Sequence, residues 1–169
     1  MAELKGSKTE SDLLEAFAGE SQANRKYLAF AEKADQEGYT AIAKLFRAAA
    51  AAETVHAHAH LRALGGVRTT IDNLREALGG ETYEFTAMYP RMIEDAAAEG
   101  FDTAHRSFRL ANAVEKVHAS LYQKAIENIG LNAPIDYYVC KVCGNTVEGA
   151  PHGPCAICQA LPAAFFKVD

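Results

Sequence analysis

Two stretches of the chain each carry a glutamate followed three residues later by a histidine: Glu53-Thr-Val-His56 and Glu115-Lys-Val-His118. On a helix, positions i and i+3 share a face less than one turn apart, so each pair can aim a carboxylate and an imidazole at one point. Two further stretches supply Glu20 and Glu81, each preceded by glycine in an otherwise apolar run. One Glu from each of two helices plus Glu-x-x-His from each of two others is the donor set with which four-helix bundles hold a pair of metal ions. Carboxylates bridging the ions, with one imidazole ending each, suit iron or manganese better than a thiol-seeking metal. A single Glu-x-x-His is more often a solvated face. Without metal, however, Glu20, Glu53, Glu81, Glu84 and Glu115 would crowd one interior, which costs several kcal/mol per unpaired ion.

Glu84 follows Glu81 by three residues and shares its face. It reads either as a carboxylate that shifts on and off one ion as the oxidation state changes, in exchange with His56, or as a surface glutamate. Tyr27 and Tyr89 lie about two turns from Glu20 and Glu81. Their hydroxyls could hold a ligand carboxylate or donate a proton; as core aromatics they would look the same in sequence. His58, His60 and His105 are read as helix-surface residues.

A second metal motif closes the chain. Cys140-x-x-Cys143 and Cys155-x-x-Cys158 are two knuckles separated by eleven residues, in a segment too small to hold a fold without a staple. Four thiolates in a tetrahedron supply one and accept zinc or a single iron. Gly144 lets the chain turn after the first knuckle, where the second has Gln159. Tyr137, Tyr138, Phe165 and Phe166 are expected to form this segment's small core.

Four helices must position the first set. Apolar residues recur at helical spacing over 9–38, 40–64, 71–99 and 101–129, with glycines at 38, 65, 66, 100 and 130 ending the runs. Short connections make neighbours antiparallel. Residues 131–136 read as a linker, giving a helical domain over 1–133 and a metal-bound β ribbon over 134–169. An internal repeat supports the reading. Glu37-Gly38-Tyr39 returns as Glu99-Gly100-Phe101, Phe46-Arg47 as Phe108-Arg109, Glu53 as Glu115, His56 as His118 and Tyr27 as Tyr89, all at a shift of 62. Gly19-Glu20, however, returns as Gly80-Glu81, a shift of 61. One residue has been inserted between Glu81 and Tyr89, and the spacing predicts a single-turn π-bulge between residues 82 and 89, beside Pro90.

The bulk numbers narrow the field. The 169 residues, 49% hydrophobic, suffice for one sizeable core and a small appendage. With 17 basic against 22 acidic residues and a net charge of -5, nucleic acid is not an expected partner. The longest unbroken apolar run, 48–52, is too short to cross a bilayer, and the N-terminus lacks an apolar leader. A cytoplasmic protein without membrane contact is expected.

The segments AFAGESQA (16–23), GETYE (80–84) and MYP (88–90), both Glu-x-x-His pairs and the cysteine knuckles together resemble the rubrerythrin family over nearly the whole chain. The resemblance implies a ferritin-like four-helix bundle with a non-sulfide di-iron centre, followed by a rubredoxin-like Fe(Cys)4 domain. It places Glu20, Glu53, His56, Glu81, Glu84, Glu115 and His118 on the two irons, and Cys140, Cys143, Cys155 and Cys158 on the third. It further implies reduction of hydrogen peroxide to water in oxidative-stress defence. Glu84, Tyr27 and Tyr89 would assist, a rubredoxin or NAD(P)H-dependent reductase would donate electrons, and the protein would be a homodimer. The chain departs from the family in a short connection after the second helix and in Ala156, where proline is frequent. The rival reading is an iron-oxidising, ferritin-like protein with a structural zinc ribbon.

Overall fold

The computed structural model describes residues 3–131 and 134–169. Helix α1 (Lys8–Gln36) starts at Ser7, whose hydroxyl accepts from the Glu10 amide at 3.1 Å. It ends at Gly38, whose left-handed backbone lets Tyr39 N–H reach back to Ala34 O at 2.8 Å. Helix α2 (Thr40–Ala63) then runs back along α1. Ala31, Ala34 and Ala43 are buried between them with Phe46 alongside, and small side chains of this kind allow the two backbones to approach closely. The buried amide of Asn24 ties the pair, donating to Ala50 O at 2.7 Å and Thr54 Oγ1 at 2.9 Å.

The chain divides into two compact units, 1–68 and 69–169. In the second, α3 (Thr70–Tyr83) is capped by Thr69 and passes without a break through a π turn (Glu84–Met88) into α4 (Tyr89–Glu99). The one-residue insertion is thus absorbed as the π turn that the 61-to-62 change of shift requires. At Gly100 the chain repeats the Gly38 turn, with Phe101 N–H on Ala96 O at 2.9 Å, and α5 (Asp102–Glu127) packs back against α3 and α4. The four helical rods followed by a small sheet are the fold class expected. The expected boundary between 133 and 134 falls beside residues 132 and 133, which lie outside those described.

The ribbon is a three-stranded antiparallel sheet in the order β2-β1-β3, made of β1 (Tyr137–Cys140), β2 (Thr146–Glu148) and β3 (Phe165–Val168). It rests on α5: a Cβ at Gly144 would come within 3.8 Å of the buried Val114 side chain, and Glu148 pairs with Lys124. The small core differs in one member from expectation. Phe166 pairs with Val139 but faces outward, 43% exposed, with the Lys141 ammonium over its ring, while Tyr137, Tyr138 and Phe165 are half-buried. What the ribbon buries most deeply is Cys140, Cys155 and Asn145.

Candidate metal centres

The cysteine knuckles repeat each other at a spacing of 15. Cys140 N–H bonds Asn145 O at 2.9 Å and Cys155 N–H bonds Ala160 O at 2.8 Å; Gly144 N–H returns to Cys140 O at 2.8 Å and Gln159 N–H to Cys155 O at 2.9 Å. All four cysteines are free thiols, and their sulfurs lie within 4.8 Å of one another, with Cys140–Cys158 at 3.7 Å and Cys143–Cys155 at 3.6 Å. A metal with sulfurs at about 2.3 Å needs tetrahedron edges of about 3.8 Å, so the set fits one tetrahedral ion. Burial raises the Cys155 thiol, but the backbone N–H groups of Cys158 and Ile157 together with hydrogen bonds from Cys143 and Cys158 bring it down to about 7, while burial pushes the Cys143 and Cys158 thiols up. Cys155 is thus the member of the set most readily present as the thiolate that binds metal.

Gly144 has φ 84° and Gln159 φ 63°, the latter being the one non-glycine with positive φ among the described residues. The second knuckle therefore imposes a left-handed turn on a side chain that resists it, at a cost of roughly 1 kcal/mol. Gln159→Gly is expected to stabilise the ribbon by about that amount, measured as a higher midpoint for thermal loss of the bound metal's absorbance.

The helical donors form two triads, one in each unit. In the first, Glu20 of α1 meets Glu53 and His56 of α2: His56 Nδ1 lies 2.9 Å from Glu53 Oε2 and 3.8 Å from Glu20 Oε1. In the second, Glu81 of α3 meets Glu115 and His118 of α5: His118 Nδ1 lies 2.8 Å from Glu115 Oε2 and 3.8 Å from Glu81 Oε2. The sequence repeat is thus matched by a repeat in the geometry of the donors. Each triad offers two carboxylates and one imidazole nitrogen, one ion's worth of hard and borderline donors.

Glu81 shows what the second triad lacks without a cation. Burial, a hydrogen bond shared with Glu115 and the charge of Glu115 raise its carboxyl from 4.5 to about 7, against the opposing pull of His118. Folded chain therefore holds a proton between about 4.5 and 7 that unfolded chain releases, so this group's contribution to the stability of metal-free protein falls as pH rises across that window. Melts of metal-free protein across that window are expected to show the slope, and Glu81→Gln to flatten it.

Glu84 sits at the start of the π turn. Its carboxyl is raised by burial and by the charge of Glu115, with His118 opposing, so it lies within electrostatic range of the triad. The tyrosines occupy equivalent positions. Tyr27 packs on Phe46 at 6.2 Å and Phe30 at 6.3 Å, and Tyr89 on Phe108 at 6.3 Å. Burial, then Glu115, Glu84 and Glu81, raise the Tyr89 phenol. His58 is exposed as expected, whereas His60 and His105 are half-buried. Sequence reasoning passed over Tyr122, one turn beyond His118, whose phenol is raised by burial and by Glu81 and Glu115. It lines a cavity of about 420 Å³ with Glu81, His118, Tyr137 and Thr146.

Comparison with known proteins decides the family. The rubrerythrin family model matches residues 12–126. The chain belongs to the rubrerythrin family. It is 34% identical to rubrerythrin-2 of Clostridium acetobutylicum, over 96% of this chain and 97% of that protein. It is 36% identical to nigerythrin of Nitratidesulfovibrio vulgaris, over 89% of this chain and 81% of that one. A solved structure of fully reduced, all-ferrous nigerythrin is similar with a TM-score of 0.59 at 32% identity, covering 96% of this chain and 87% of that one. The family and the donor sets agree on the cofactors: two irons for the carboxylate and histidine donors, and one for the four cysteines. No helix among the described residues is long and apolar enough to cross a membrane.

Proposed function

We propose that this di-iron protein reduces hydrogen peroxide to water, fed by single electrons through the four-cysteine site, as a defence against oxidants. The observation that carries the reading is the combination in one chain of two Glu/Glu/His triads with a tetrahedral four-sulfur site. Storage of iron has no use for the second of these. The chemistry supplied by a bound di-iron pair is two-electron reduction, which cleaves the O–O bond without releasing a one-electron radical.

The chain's own groups do the rest. Glu20, Glu53 and His56 would hold one ion, and Glu81, Glu115 and His118 the other. Glu84, on a turn outside the regular helical ladder, is the carboxylate free to follow a change in charge. Two protons must reach the two oxygens of peroxide. The Tyr89 O–H, kept protonated by burial and then by the charges of Glu115, Glu84 and Glu81, is the donor at the second triad, and Tyr27 takes the same position in the repeat. A rubredoxin or an NAD(P)H-dependent reductase is the donor class that matches a one-electron thiolate iron site. Leu14, Leu45 and Val55 are 54–68% exposed, which supports a homodimer that covers them.

Stopped-flow oxidation of fully reduced, iron-loaded protein tests the proposal. Peroxide is expected to oxidise it much faster than oxygen does, with three irons per chain and the red colour of ferric Fe(Cys)4. Faster reaction with oxygen, a colourless zinc ribbon and many irons per chain would establish iron oxidation instead.

A further inference from the structure

His118 is held at both ring nitrogens. Nδ1 faces Glu115 and Glu81, while Nε2 lies 3.0 Å from the hydroxyl of Thr146, the first residue of β2. That hydroxyl has one proton, and the Gly144 carbonyl, 3.2 Å away, is placed to take it. With its proton committed there, the oxygen can meet Nε2 only as an acceptor. Nε2 then carries a ring proton, and Nδ1, which shares a proton with the carboxylates in metal-free protein, is the nitrogen that gives its lone pair to a cation there.

The first triad lacks this arrangement. His56 has the same Nδ1 geometry but is 55% exposed against 26% for His118, and among the described residues Nε2 has no such partner. The difference comes from the ribbon, which has no counterpart in the first half of the repeat. The segment that reaches His118 is also part of the cysteine site: Asn145, between Gly144 and Thr146, places its amide 3.6 Å from Cys155 Sγ.

We propose that Thr146 is a positioning residue for the second metal: from the ribbon, it fixes the tautomer and ring plane of His118, so that triad is fully formed only when the ribbon is folded around its own ion. The proposal rests on reading the triads as metal sites. It makes one of two otherwise matched sites depend on a domain that contributes no ligand to it.

The test uses full-length chain with zinc bound by the four cysteines, the helical sites emptied, and histidines labelled with nitrogen-15. Long-range proton–nitrogen spectra, with His118 assigned through His118→Gln, are expected to show Nε2 protonated throughout. In Thr146→Val the signal moves towards a mixture of tautomers, and in Thr146→Ser it returns. Titration with ferrous ion is expected to load both triads in wild type. In Thr146→Val, one ion binds as before and the other roughly tenfold or more weakly. Unchanged His118 nitrogens together with unchanged binding of both ions in Thr146→Val would overturn the proposal. A wild-type chain that takes up no iron on its helices would defeat the metal reading of the triads, and the nitrogen spectra would still decide the role of Thr146.

Discussion

Glu115→Gln is expected to empty the second triad of its ion and to lower peroxide turnover by more than about a hundredfold, because loss of a mere outer partner of a metal ligand already costs roughly 10–100-fold. Glu115 is the hub of that triad. It meets His118 at 2.8 Å, shares a hydrogen bond with Glu81, and its charge is felt by Glu84, Tyr89 and Tyr122. Glutamine keeps the shape and removes the charge, so the fold should persist while the ligand set fails. Iron analysis and peroxide turnover are the measurements, with Glu53→Gln as the matched change in the first triad. A Glu115→Gln protein that keeps its full iron and its turnover would rule out the assignment.

The second large effect is expected from Cys155→Ser. Cys155 is 1% exposed, takes the Asn145 amide on its sulfur, and anchors its knuckle through Ala160. In a segment this small the energy of metal binding is folding energy, with apparent values of about 10–16 kcal/mol for structural zinc sites. Loss of one thiolate is expected to discharge the ion and melt the ribbon while α1 to α5 stay folded. Absorbance of the ferric site and ribbon amide signals read the first effect, and helical circular dichroism the second. Donor-driven turnover should collapse, and, with the ribbon gone from His118, the second triad should hold its iron more weakly, so that a single oxidation of pre-reduced protein by peroxide survives only with ferrous ion in excess. A chain that still turns over with its donor would show that electrons reach the triads without the ribbon.

Much of the fold and of the helical donor set is legible in the sequence because repetition can be checked by subtraction. The shift of 62 that relates Glu53 to Glu115 and Tyr27 to Tyr89 appears in space as matched contacts, 2.9 against 2.8 Å for the Glu–His pairs and 6.2 against 6.3 Å for the Tyr–Phe pairs. The change of shift to 61 locates an inserted residue, and a helix has few ways to hold one. What stays hidden depends on contacts between distant segments or on phase. Thr146 meets His118 across 28 positions, and a threonine in a strand gives no sign that its hydroxyl will be used. Phe166 is not in the small core because a four-residue strand alternates faces, and its sequence does not say which face comes first. Asn24, which joins α1 to α2, is a buried amide that composition alone assigns to the surface.

The π turn at Glu84–Met88 bears on the history and behaviour of the molecule. A chain made of two equal copies would treat its two ions alike, and they would fill, empty and change valence together. The two copies in this chain are unequal there: one residue is added, and Glu84 stands where, at the shift of 61, the other copy has Ala23. With Glu84 beside it, the second triad is expected to fill and change valence apart from the first, so that events at the two acquire an order.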